Sequence, residues 1–105
     1  MSEITIVFDG KELKPKGLFG QKVAAGSTVT FKAEGFDPKP IAFESRSPFG
    51  VVTAFGYGHA QKVTAAFDST GKNNIYPFTC SGIVNGKEIH SKGAHGGEIE
   101  IVPGG

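Results

Sequence analysis

Short apolar runs separated by turn-forming residues most constrain the fold of this chain. Within the runs, apolar and polar residues alternate, as at Ile4, Ile6 and Phe8, and no long 3.6-residue period appears. The 105 residues include 16 glycines and 6 prolines, a composition that suits many turns. We therefore expect one all-β domain over residues 1–105, a β-sandwich of seven to eight strands.

The charge balance and the absence of certain motifs narrow the function. Ten lysines and one arginine stand against ten acids, whereas nucleic-acid-binding domains usually carry a basic face. No apolar stretch approaches the roughly 18 residues of a membrane-spanning helix. No nucleophile elbow and no phosphate-binding glycine motif occurs. We expect no nucleic-acid partner, no membrane insertion and no enzymatic activity.

The sequence is compatible with more than one cellular compartment. The opening residues, Met1-Ser2-Glu3, lack the basic and apolar regions of a secretory signal. The protein is then cytoplasmic if Met1 is native, or periplasmic or otherwise extracytoplasmic if the chain is a mature form with a new start methionine. The single cysteine excludes an internal disulfide and so gives no information on redox environment.

A hairpin is predicted around Asn85-Gly86. Strand-like residues flank this dipeptide, and a type I′ turn requires positive φ at both central positions, which asparagine and glycine tolerate. With a two-residue loop, Val84 lies opposite Lys87. Counting back along both strands places Ser81 opposite His90 and Cys80 opposite Ser91.

Three segments share a pattern with one family of small sandwiches. Residues 37–43 read Asp-Pro-Lys-Pro-Ile-Ala-Phe and follow a glycine turn at Gly26. Residues 76–80 read Tyr-Pro-Phe-Thr-Cys, and four residues separate His90 from His95, which precedes a glycine. From about residue 23 to 102 the chain resembles the cupredoxins, the copper proteins that include plastocyanin and azurin. The resemblance implies a Greek-key sandwich.

The resemblance also implies a copper site, and this sequence departs from the family's ligand pattern in the ways given below. Carried over, the ligands are Cys80, His90 and, at the axial position, His95, for electron transfer or copper handling with a redox or copper-donor protein as partner. Lys39 stands where the family has its first histidine, and an ammonium has no lone pair to donate. Nine residues separate Cys80 from His90, where the family has two to four.

His59 is the remaining candidate ligand. Strands 62–67 and 75–80 are predicted to pair antiparallel, and their adjoining ends then place His59 near Cys80. The cysteine and the histidines then meet at one pole, a ligand set that suits copper or zinc. The alternatives are a small buried apolar cysteine, solvent-exposed His90 and His95, and an ordinary loop histidine at position 59.

A second hypothesis involves no metal. Residues 45–58 carry Phe49, Phe55 and Tyr57 among glycines and prolines, and an exposed cluster of these rings would mark a docking site. The alternative, that the rings fold inward and cap the sandwich, is slightly favoured. In this hypothesis the chain binds a protein or glycan through residues 45–58 and the Asn85-Gly86 hairpin. Lys39 favours this hypothesis, and the spacing of His90 and His95 favours the copper one.

Overall fold

The chain is built of β-strands and loops throughout the part that the computed structural model describes, residues 2–18, 20–44, 46–50, 54–91 and 96–104. These residues include no helix, and hence none long and apolar enough to cross a membrane. The predicted all-β class is confirmed. The strands are β1 (Ser2–Phe8), β2 (Leu13–Pro15), β3 (Gly20–Ala24), β4 (Thr28–Glu34), β5 (Asp37–Pro38), β6 (Ile41–Phe43), β7 (Ala54–Phe55), β8 (Gln61–Lys62), β9 (Ile75–Thr79), β10 (Ser81–Val84), β11 (Lys87–His90) and β12 (Gly97–Val102).

The described strands form three hydrogen-bonded sheets. One has the order β2-β1-β4-β8, a second β3-β12-β9-β6-β7, and the third β11-β10-β5. The β1–β4 and β3–β12 pairs are parallel, and the other pairs are antiparallel. The strands outnumber the seven to eight predicted because several consist of only two or three residues.

The core lies between the four-stranded and the five-stranded sheet. Alternate residues of β1 and β12 are buried, as the period of two in a half-buried strand requires. The rings of Phe31 on β4 and Phe78 on β9 meet edge to face, with centroids 5.5 Å apart. This contact joins the two sheets, as in a sandwich. The Greek-key connection stays a prediction.

Residues 62–67 do not pair with 75–80, so that prediction was wrong. Only Gln61–Lys62 is a strand there, and it pairs with β4. Beyond it, Val63 N donates to the Ser27 carbonyl at 2.8 Å, and Thr64 N donates to the Pro48 carbonyl at 2.9 Å. Strand β9 instead pairs with β6 and β12. Alternating apolar residues predict an inward face but do not identify the neighbouring strand.

The aromatic residues of the 45–58 segment pack inward rather than forming an exposed patch. Phe49 and Phe55 are buried, and their ring centroids lie 4.8 Å apart. Both meet Phe43 edge to face, at 5.8 and 5.9 Å. Tyr57 is half-buried against Phe31 and Phe36. Burial of ring area favours this arrangement over exposure, so Phe49 and Phe55 do not offer the docking surface expected of them.

Candidate functional site

The Asn85-Gly86 hairpin forms in the predicted register. Asn85 has φ of 51° and Gly86 has φ of 77°, as a type I′ turn requires. Val84 pairs with Lys87, and Ser81 pairs with His90. Ser91 N donates to the Cys80 carbonyl at 2.9 Å, so these two residues are also opposite each other. The turn thus fixes which side chains share a face.

Cys80 is enclosed on the inner face of this hairpin. Its side chain belongs to the hydrophobic core and is 2% exposed. Its amide donates to Ser91 Oγ at 3.2 Å, which ties the strand to the start of the next loop. A Cβ placed at Gly96 would come to 2.5 Å from the Cys80 sulfur. Solvent therefore has no direct access to the thiol.

Tyr57 is the polar neighbour of this thiol. Its hydroxyl oxygen is buried and makes no hydrogen bond of good geometry with any described group. Burial raises the pKa of Cys80 to about 12, and interaction with the Tyr57 hydroxyl acts in the opposite direction without offsetting it. Burial likewise raises the pKa of Tyr57. Both groups are consequently protonated at neutral pH.

His90 lies on the opposite, outer face of the hairpin. Successive residues of a strand face opposite sides, so a residue paired with Ser81 cannot share the face of Cys80. The His90 side chain is 64% exposed, and its Nε2 lies 3.1 Å from Glu88 Oε1. The other carboxylate oxygen, Oε2, accepts a hydrogen bond from Lys39 Nζ at 2.9 Å. One carboxylate therefore engages both side chains.

This carboxylate is electrostatically stabilised. The Lys39 ammonium lowers the pKa of Glu88, first by its hydrogen bond and then by its charge, with a smaller contribution from His90. Lys39 is held in place because its amide donates to the Ser81 carbonyl at 3.0 Å. Sequence reasoning missed the contact, although the predicted register already placed Glu88 and His90 on one face.

Copper does not fit the candidate ligands whose positions are described. His59 is exposed, and His90 faces away from Cys80. Over the described ranges, no three His, Cys, Asp or Glu side chains form a group that could hold a metal ion. His95 lies outside the described residues.

Sequence reasoning also missed Tyr57 as the neighbour of Cys80, since 23 positions separate them in the chain.

A groove runs beside the hairpin on the side of the β1–β2 turn. Its volume is about 610 Å³, within the range of roughly 300–1,000 Å³ common for binding pockets. It combines apolar side chains with charged ones, as binding sites commonly do. The lining residues are Phe8, Gly10, Lys11, Val84, Asn85, Lys87, Glu88, Ile89 and His90.

Comparison with known proteins gives no independent identification. Neither a protein-family model, nor a curated protein, nor a solved structure matches the chain. The resemblance to the cupredoxins therefore rests on the sequence segments quoted above.

Proposed function

We propose that this protein is a metal-independent interaction module that binds a protein partner through the β10–β11 hairpin and the adjacent groove. The observation that carries the proposal is the contact of one carboxylate, Glu88, with both Lys39 and His90. Lys39 and His90 occupy two of the positions that the cupredoxin resemblance assigns to copper ligands. Here they belong to a surface network around the Glu88 carboxylate.

The electrostatics of that network support the proposal. Lys39 supplies a positive charge and no lone pair, which disfavours a cation nearby. Glu88 lies within 3.1 Å of the His90 nitrogen on the outer face, while the Cys80 sulfur lies inside the core. A shared metal ion would require both side chains to leave these positions.

The surface around the network supports binding of a partner. The hairpin strand β11 and its turn are mostly exposed, and loops and turns carried on a rigid sheet commonly provide binding residues. The groove offers both apolar area, from Phe8 and Ile89, and polar groups. That combination provides burial energy and orientation together.

A copper titration tests the metal-independent part of the proposal. Cu(II) is added to reduced protein while visible absorption and thermal stability are followed. We expect no intense thiolate-to-copper band and no rise in melting temperature. A band that disappears in Cys80→Ala would overturn the proposal and restore copper handling. His95→Gln and His90→Gln then identify the nitrogen ligands.

A peptide selection tests the binding surface. The folded protein is screened against a random peptide library in the presence of EDTA, and each selected peptide is titrated into isotope-labelled protein. We expect the largest amide shifts within residues 84–90. Selected peptides that instead perturb only the β1–β4 sheet would place the binding surface elsewhere and contradict the proposal.

A further inference from the structure

We infer that the groove accepts an extended acidic peptide, which adds as a strand to the outer edge of β11. This inference rests on the proposed function and names the partner class for the same surface. In the sheet order β11-β10-β5, β11 is terminal, and the outer edge of Lys87–His90 pairs with no described strand; an isolated bridge joins the next residue, Ser91, to Leu13. Such an edge is a template for another extended chain.

The register identifies the main-chain groups that are open to a partner. Opposed residues of an antiparallel pair alternate between hydrogen-bonded and non-hydrogen-bonded positions. The hydrogen bond from Ser91 N to the Cys80 carbonyl marks one hydrogen-bonded position. By alternation, the N–H and C=O groups of Lys87 and Ile89 point towards β10. The N–H and C=O groups of Glu88 and His90 point outward. The Leu13–Ser91 bridge lies beside the His90 carbonyl, so the N–H and C=O of Glu88 and the N–H of His90 are the groups open to a new strand.

The turn between β1 and β2 forms the wall of the groove that faces β11. Leu13 and Ser91 form a parallel bridge, which brings the start of β2 against the end of β11. Before Leu13 the chain turns back on itself, because Asp9 Oδ1 accepts hydrogen bonds from the amides of Lys11 and Glu12. Those amides are satisfied within the turn and do not pair with β11.

The charges of the groove favour an acidic peptide. Lys11 and Lys87 both line the groove, and neither forms an ion pair with a described residue. Two carboxylates beside the groove have cationic partners, since Asp9 lies 3.8 Å from Lys14 and Glu88 contacts Lys39. The two lysines therefore remain available to acidic side chains of a partner.

The apolar lining sets the pattern of the peptide. Phe8, Val84 and Ile89 contribute side chains to the same groove. Lys87 and Ile89 share one face of β11, while Glu88 and His90 share the other. Every second side chain of an added peptide strand lies over one face, so an acidic residue and a β-branched apolar residue two positions apart match Lys87 and Ile89.

The probe is a capped heptapeptide with glutamate and valine in turn at the odd positions and threonine at the even positions, titrated into isotope-labelled protein. We expect saturable shifts in residues 87–90 and slower hydrogen exchange of the Glu88 and His90 amides. The Lys11→Glu/Lys87→Glu double variant should bind about tenfold more weakly or worse. Lys72→Glu, which reverses an exposed lysine outside the groove, should leave affinity unchanged.

Two further peptides distinguish the mode of binding. A lysine-for-glutamate peptide should not bind, and a peptide N-methylated on every residue should lose binding because it cannot donate to the β11 edge. Equal binding of the N-methylated peptide would overturn strand addition. Failure of the acidic peptide, while library peptides still bind residues 84–90, would overturn this inference and leave the proposed function standing. Failure of both overturns both.

Discussion

Gly96 lies directly against Cys80. A Cβ at Gly96 would come to 2.5 Å from the Cys80 sulfur and 3.0 Å from the Cys80 amide nitrogen. Gly96 N also donates to the carbonyl of Phe78, two residues before the cysteine. The chain after the hairpin thus covers the thiol with a residue that has no side chain, and this close approach requires glycine.

We expect Gly96→Ala to lower the free energy of unfolding by about 1–3 kcal/mol, the usual cost of overpacking a core. Urea denaturation measures the change. Gly20→Ala is the matched control, because a Cβ there meets nothing within 4 Å. The Gly96→Ala/Cys80→Ala double variant should recover part of the loss, since the sulfur contact is gone. Strict additivity of the two changes would contradict the contact.

The buried thiol should make stability fall at alkaline pH. Burial raises the pKa of Cys80 from 9.0 to about 12, so between these values the unfolded chain loses a proton that the folded protein retains. The free energy of unfolding should then fall as pH rises through this window, by at most about 1.4 kcal/mol per pH unit from this group.

In Cys80→Ala, the free energy of unfolding should fall less steeply as pH rises above neutrality. Urea denaturation under reducing conditions, repeated at several pH values above neutrality, compares the variant with the natural sequence. Identical slopes would mean that the thiol ionises equally in both states. Thiol-reagent kinetics give a second measure, because the folded protein should react far more slowly than the unfolded chain.

The hairpin turn should depend on positive φ. Gly86→Ala should lower the free energy of unfolding by about 1–2 kcal/mol, since an L-residue is strained in the left-handed region. A Cβ at Gly86 meets nothing within 4 Å, so the effect is one of backbone conformation alone. Asn85→Gly is the control and should change stability little. A neutral Gly86→Ala would argue against the type I′ turn.

The contact between Lys39 and Glu88 should be visible in carboxyl titration. Because the Lys39 ammonium lowers the pKa of Glu88, Lys39→Met should raise that pKa toward 4.5, as followed by carbon-13 NMR. The stabilisation from Glu88 is present above 4.5 and is lost as pH falls through its folded-state pKa, so the variant should lose less stability in acid. Lys62→Met serves as the control. An unchanged Glu88 pKa in Lys39→Met would exclude the interaction.

Local sequence predicted the hairpin well. Asn85 and Gly86 define a two-residue loop, and strand residues alternate with a period of two, so the position of each residue follows by counting from the turn. The pairing of Ser81 with His90 and of Cys80 with Ser91 was predicted in this way and is confirmed. No long-range information was needed.

The predicted pairing of residues 62–67 with 75–80 was wrong because it depended on long-range contacts. Val63 and Ala65 have the pattern of an inward face, yet their amides bond to the Ser27 and Pro48 carbonyls rather than to β9. Alternation of apolar residues with a period of two predicts which face of a strand is buried, but it does not predict which strand pairs with it. His59 was placed near Cys80 on that mistaken pairing, and the side chain that reaches the thiol is Tyr57.

The amino-acid sequence alone determined the all-β class, the hairpin register and the inward direction of Cys80, because turn chemistry and alternation act between near neighbours. Tertiary structure decided what surrounds those residues. Gly96 covers the thiol, and Lys39 meets Glu88 across 49 positions of sequence. Such contacts depend on how the sheets assemble, because residues far apart in the chain meet only when the strands have paired and packed. The local sequence around each residue does not predict them.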